Sequence, residues 1–243
     1  MAHCAAGGGD VTDYAGAIDF PAHPTNIMGP PNWPKGFAIH TPEEPADDYP
    51  ATPHWFAQEH PDRAGSTHYF VSYMGEVFQC VSEGSAAIAN GVLGKPYPAW
   101  ADPAISLNRQ TLSVEVEGYA ADIEETLIVG SAQWNALVKL VRDRCEHYGI
   151  PLDREHIIGH YEVANNRSDP GAGFPWDALI AELQEDDMAA ERVWCIDRAQ
   201  TWIVGKFGAA PVAYPVDDAI WAALYGKHTR AMTGAELDAL VVK

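Results

Sequence analysis

Apolar and polar positions alternate most clearly in "TLSVEVEGY". Leu112, Val114 and Val116 fall on one side and Ser113, Glu115 and Glu117 on the other, the period-two pattern of a strand with one buried face. Soon after, the period lengthens. Trp134, Leu137, Val138, Val141, Cys145 and Tyr148 recur at helical spacing, behind Ser131 as a cap and ahead of Gly149 and Pro151 as stop signals. "THYFVSYMGEVFQCVSEG" carries apolar and aromatic residues on both arms of a predicted hairpin, with Met74-Gly75 near its turn. "KGFAIHT" and "EHIIGH" predict two short buried strands that end at His40 and His160, and "FPWDALIAELQ" predicts a short helix opening after Pro175.

Strands interleaved with helices make residues 36–184 an α/β domain. Ahead of it, residues 1–35 are rich in Gly, Pro and Asn and predict an irregular lead-in without chemistry. Between the first strand and the hairpin, Pro42, Pro45, Pro50, Pro53 and Pro61 predict a long loop. Behind the domain, "QEDDMAAER" predicts a linker or solvated helix end, "VWCIDRAQTWIVGKF" has β-like content, and "DDAIWAALYG" and "TGAELDALV" predict helices. The last of these starts on a capping box of Thr233 and Glu236. Residues 185–243 thus form a small C-terminal α+β module, short for independent folding.

Composition narrows the class. A chain of 243 residues that is 47% hydrophobic and 20% charged is that of a folded protein. The formal charge of −19, from 34 acidic against 15 basic side chains, argues against sequence-independent binding to nucleic acid or an anionic membrane surface. No apolar run approaches the roughly 18 residues needed to span a bilayer. The opening residues lack a basic segment followed by an apolar one, so synthesis in a cytoplasm without a signal peptide is expected. Cys4, Cys80, Cys145 and Cys195 are scattered and form no C-x-x-C pair, which disfavours a zinc knuckle and a disulfide scaffold.

One stretch gathers chemistry: "IIGHYEVANNRSDPGAGFPW". Its His160 ends a predicted strand, as His40 does elsewhere, and its Asp169 lies on a Pro-Gly turn nine residues later. Hydrolytic zinc is commonly held by three ligands of these types, with a fourth position left open. His156 and His160 stand at i,i+4, but the "IIG" between them is not the helical H-E-x-x-H pattern.

With "FAIHT", "STHYFVSYMGEVFQ", "NRQTLSVEVEG" and "AQWNALVKLVRDRCEHYGI" preceding that stretch in order, residues 36–183 resemble the zinc-dependent N-acetylmuramoyl-L-alanine amidases of the phage-lysozyme and peptidoglycan-recognition-protein type. The resemblance implies a central mixed β-sheet flanked by helices, and one zinc ion per chain on His40, His160 and Asp169. It also implies cleavage of the bond between N-acetylmuramic acid and the stem peptide, with Glu115 as proton acceptor. Glu117, on the same strand face, is the rival base. Where relatives often carry a lysine two residues before the third ligand, this chain has Arg167, whose guanidinium can still stabilise an oxyanion. The alternative for Arg167 is pinning the loop through a carboxylate such as Glu162. Thr67 stands where some relatives have a tyrosine. Thr67, His68, Asn90 and Asn108 are candidates for substrate contact, with support of the fold the other role for His68. A peptidoglycan-binding module without activity is the alternative function, and peptidoglycan is the expected partner in both cases. Lack of a signal peptide resembles phage endolysins, which reach the wall on lysis. In that case Trp194, Trp202, Tyr214, Trp221 and Tyr225 would serve wall targeting or simply fill a small core.

Overall fold

A computed structural model describes residues 12–47, 50–91 and 94–185, and the backbone of four strands beyond them. The chain divides into two units, Met1–Gln184 and Glu185–Lys243. In chain order the first unit holds β1 (Ala17–Asp19), β2 (Ile27–Gly29), β3 (Gly36–His40), α1 (Ala51–Phe56), β4 (Tyr69–Val71), β5 (Val77–Gln79), β6 (Ala86–Ala87), β7 (Thr111–Val116), α2 (Ile123–Thr126), α3 (Ala132–Tyr148), β8 (Ile157–Gly159) and α4 (Trp176–Gln184).

Six of these strands form a mixed sheet in the order β1-β5-β4-β7-β3-β8. β4 and β5 pair antiparallel as the expected hairpin, while β4, β7, β3 and β8 run parallel to one another. Parallel strands of an α/β sheet present ligand sites at their C-terminal edge, and here that edge carries His40, Glu115 and the start of the His160 turn.

The sheet's two faces have different jobs. Phe37, Ile39, Leu112, Val114, Val116 and Ile157 pack beneath α3 and α4 in the main core, each large side chain stabilising by about 1.5–3 kcal/mol relative to exposure. Ser131 caps α3 by accepting from the Trp134 amide at 3.2 Å, and Gly149 ends it in the left-handed conformation at φ 66°. The intervening residues Ala38 and His40 face the other way, and register puts His40 opposite Glu115. That second face is covered by smaller clusters around Phe70 and Phe78 and around Ala38 and Ile158, leaving room at the strand ends for a cleft.

Two expectations need correction. The supposed irregular lead-in contains β1, which adds to the sheet edge against β5, and β2, which pairs with β6. Its Asn26 is fully buried and donates to the Phe56 and Gln58 carbonyls. The proline-rich loop contains α1, where Pro53 occupies an early position that needs no amide donor. Neither element shows an apolar period, because three- and six-residue pieces are too short to display one.

In the second unit, β9 (Glu191–Cys195), β10 (Gln200–Phe207), β11 (Ala210–Val216) and β12 (Arg230–Met232) form a sheet ordered β11-β10-β9-β12. β12 runs parallel to β9, and the other pairs are antiparallel. The two helices expected in this unit, the first with Trp221 and Tyr225, lie outside the described residues, and Trp194, Trp202 and Tyr214 are described in backbone only. Among the described residues, no helix is long and apolar enough to cross a membrane, and Cys80 and Cys145 are buried free thiols.

Candidate functional site

Three segments converge at the C-terminal edge of the sheet. His40 closes β3, and His160 follows β8 directly at the start of a 3-10 turn. The third segment folds back: the Tyr161 amide donates to the Asp169 carbonyl at 3.0 Å, which sets the Asp169 side chain beside His160. Gly171 lets this turn press on the loop after β7. Its φ is 105°, and a Cβ there would sit 2.1 Å from the Ala120 carbonyl oxygen, so no other residue fits. The same Ala120 donates its amide to Glu43, which adopts a left-handed φ of 60° and also accepts from the Thr41 hydroxyl. The loop following His40 is thereby tied to the loop following the Glu115 strand.

All three candidate ligands are buried. Asp169 Oδ2 lies 3.2 Å from His40 Nδ1 and 3.0 Å from His160 Nδ1, and one ligand atom from each residue falls within 4.8 Å of the others. His160 Nε2 faces the Asn90 carbonyl at 3.1 Å. A carbonyl can only accept, so Nε2 carries a proton and, in the neutral ring, Nδ1 presents a lone pair to the carboxylate. Two lone pairs 3.0 Å apart repel unless a proton or a metal ion lies between them. Burial holds His40 below its ordinary pKa, against the hydrogen bond its protonated ring donates to Asp169. Burial works to raise the Asp169 carboxyl, but hydrogen bonds from His160 and His40 outweigh it and hold the group well below the usual carboxylate range. An anionic carboxylate beside two buried imidazoles is a donor set suited to a divalent metal.

The cleft above these residues encloses about 750 Å³ and is lined by His40, Glu115, His160, Arg167 and Asp169, with Trp55 on one wall. Glu115 Oε2 is buried without a hydrogen-bond partner. Burial first, then the neighbouring Asp169 carboxylate, push the Glu115 carboxyl well above its ordinary pKa. Glu117 is completely buried and does not line the cleft: its oxygens accept from the Asp47 amide at 3.2 Å and the Tyr73 amide at 2.5 Å. Arg167 is exposed on the rim, bonded within the chain to the Asn166 carbonyl at 3.3 Å. Glu162 is engaged elsewhere, by Arg154 at 2.7 Å and by the Gly159 amide, so it is not the partner that pins Arg167.

Four expected substrate contacts are not brought to the cleft wall. Thr67 and His68 are buried against Ser113, with Thr67 Oγ1 3.1 Å and His68 Nδ1 2.9 Å from its hydroxyl. His68 Nε2 faces the Ser85 carbonyl at 3.0 Å, and burial lowers its pKa to about 4. Asn90 and Asn108 are buried against each other beneath His160. His156 pairs with Asp153 and stacks on Trp100, away from the cluster.

Residues that the sequence did not single out line the cleft as well. Glu44 accepts from Thr52 at 2.9 Å while its Oε1 stays buried without a hydrogen-bond partner; burial, helped by Glu117, pushes it up to about 7. Trp55, on α1, stacks on His60 with ring centroids 3.8 Å apart. Both come from the proline-rich stretch, whose pattern carried no signal for them.

The architecture has known counterparts. A selenomethionine AmpD derivative superposes with a TM-score of 0.50 at 21% identity, covering 70% of this chain and 95% of that one. AmiD from E. coli, solved as a complex with anhydro-N-acetylmuramic acid-L-Ala-D-gamma-Glu-L-Lys, gives 0.49 at 23% identity over 64% of this chain and 59% of that one. A mutant endolysin from Bacillus subtilis gives 0.48 at 16% identity, over 69% and 97%. No curated protein sequence matches. The family profile described as N-acetylmuramoyl-L-alanine amidase matches residues 30–172, more than half of the chain and including every residue of the cleft just described. This chain belongs to the N-acetylmuramoyl-L-alanine amidase family, and its activity is that of a peptidoglycan amidase.

Proposed function

We propose that the chain hydrolyses the amide between N-acetylmuramic acid and L-alanine with the help of one zinc ion held by His40, His160 and Asp169. The observation that carries the metal is the convergence of two imidazole nitrogens on one buried carboxylate oxygen, at 3.2 and 3.0 Å, with the far nitrogen of His160 committed to a carbonyl. The chemistry such an ion supplies when bound is Lewis acidity toward the scissile carbonyl and the attacking water.

The chain's own residues then divide the remaining work. Glu115 Oε2, buried at the cleft without a hydrogen-bond partner, takes the proton of the attacking water and returns it to the leaving amide nitrogen. Arg167, on the rim, donates to the carbonyl oxygen as negative charge develops there. Residues 36–184 carry this chemistry, and residues 185–243 serve as a wall-targeting module. The sequence resemblance further supports release as a phage-type lysin that meets the wall on lysis.

The test is incubation of the purified chain with defined muropeptides, with and without chelator, and detection of free stem peptide by mass spectrometry. Activity that chelator removes and zinc restores is expected; full activity in chelator would overturn the metal reading. For the C-terminal module, a chain ending at Gln184 should cleave soluble muropeptides but lose activity on intact walls. Equal loss on both substrates would favour a packing role instead.

A further inference from the structure

Asn90 and Asn108 remain without a role, although both are almost completely buried, 1% and 6% exposed, directly beneath the candidate metal centre. Their contacts form a chain. Asn108 sits in the 3-10 turn Leu107–Arg109 that leads into β7, and its Oδ1 accepts from the Asn90 amide at 2.8 Å. Asn90 Nδ2 donates to Thr111 Oγ1 at 3.0 Å, and that hydroxyl gives its own proton to the Leu107 carbonyl, also at 3.0 Å. Asn90 is thus held at both its backbone amide and its side chain. What it presents is its carbonyl, 3.1 Å from His160 Nε2.

A metal-ligating histidine needs one nitrogen free of hydrogen and the ring fixed in orientation, and an acceptor at the other nitrogen provides both. The loop bearing Asn90 stays close to the histidine. Gly94 and Lys95 donate their amides to the Val163 carbonyl, and Lys95 Nζ reaches the Tyr161 carbonyl at 2.5 Å. Among the described residues of that loop, the group hydrogen-bonded to the imidazole nitrogen is the Asn90 carbonyl. If the loop were merely packed there, an unsatisfied peptide carbonyl could drift by several tenths of an ångström. Two bonds from elements rigidly attached to β7 prevent this, and β7 is the strand that carries Glu115.

We infer that Asn108 and Thr111 are positioning residues that, through the Asn90 carbonyl, hold His160 with its proton on Nε2 and its Nδ1 lone pair aimed at the metal position. The inference rests on the metal reading above for its purpose, but not for its geometry. It replaces the expected substrate contact of Asn90 and Asn108 with a role behind the ligand. It also links the general base and one metal ligand through the same strand.

The experiment follows the His160 side-chain Nε2–H by nitrogen-detected NMR in the full chain, both zinc-free and zinc-loaded, and measures zinc affinity by chelator competition. In the unaltered chain the Nε2–H should be slow to exchange with water; a neutral Nδ1–H tautomer would overturn the inference outright. Asn108→Ala and the isosteric Thr111→Val should each speed that exchange at least tenfold and weaken zinc about ten- to a hundredfold, the usual cost of losing such support. Asn108→Asp, which keeps an acceptor for the Asn90 amide, should recover most of both. Asn26→Ala removes an equally buried asparagine far along the chain and serves as the control for general loosening. If it changes His160 exchange as much as Asn108→Ala does, or if the folded Asn108 and Thr111 variants leave exchange and affinity unchanged, the inference is wrong. A chain that binds no zinc but shows the expected exchange pattern would sink the metal reading alone.

Discussion

Replacing Asp169 by Asn is the sharpest single perturbation of this site, because it separates metal binding from folding. The carboxylate oxygen lies 3.2 Å from His40 Nδ1 and 3.0 Å from His160 Nδ1, so an amide group in the same place can donate to the His160 Nδ1 lone pair and accept from His40 through its oxygen or donate to it through its nitrogen. Each such hydrogen bond contributes about 1 kcal/mol net, and the electrostatic need for a cation disappears. The metal-free variant should therefore melt no more than a few degrees from the metal-free parent. Zinc binding should suffer heavily. Zinc sites with full ligand sets bind with roughly 10–16 kcal/mol, so loss of one of three protein ligands removes on the order of 3–5 kcal/mol, about a hundred- to a thousandfold or more in affinity. The assay pairs chelator-competition titration with calorimetric melting in the presence and absence of chelator. Chelator should lower the melting temperature of the unaltered chain and leave Asp169→Asn unmoved. An Asp169→Asn variant that holds zinc within about tenfold of the parent would refute the ligand assignment, and a variant that unfolds would refute the lone-pair account.

Glu115→Gln should keep zinc and lose roughly a hundredfold or more in kcat, whereas Glu117→Gln should lose on the order of 1–3 kcal/mol of stability through its two backbone amides with the rate per folded molecule preserved; the opposite pattern would exchange their roles. Arg167→Ala should lower kcat by about a hundred- to a thousandfold with zinc content and melting temperature unchanged, and Arg167→Lys should recover part of the rate; near-normal kcat in Arg167→Ala excludes an oxyanion role. His68 ties stability to pH. Its folded pKa of about 4 lies below the unfolded value near 6.5, so between these the unfolded chain binds the extra proton; stability is complete above pH 6.5 and falls by on the order of 3 kcal/mol as pH drops toward 4. Proton NMR that shows His68 titrating near 6.5 in the folded chain would contradict this.

Sequence pattern alone settled those features whose cause is local. The alternation in β7, the cap and stop of α3, the hairpin turn and the strand ends at His40 and His160 all follow from periodicity and turn chemistry within a dozen or so neighbouring residues. The ligand candidates were legible for the same reason, since a histidine at a strand end and an aspartate on a tight turn are local features. Tertiary structure alone decided everything that depends on what lies across the sheet. Glu115 and Glu117 share a strand face and a residue type, and the backbone amides of Asp47 and Tyr73, brought in by other loops, hold Glu117 away from the cleft. β1 and α1 are too short to carry a period, and they exist because β5 and the second face of the sheet receive them. Asn90 and Asn108 looked like substrate contacts because an uncommitted amide is polar wherever it stands in a sequence. Their real environment, a buried chain of hydrogen bonds ending at His160, is made by residues 18 and 70 positions apart, a separation at which sequence pattern carries no information about contact.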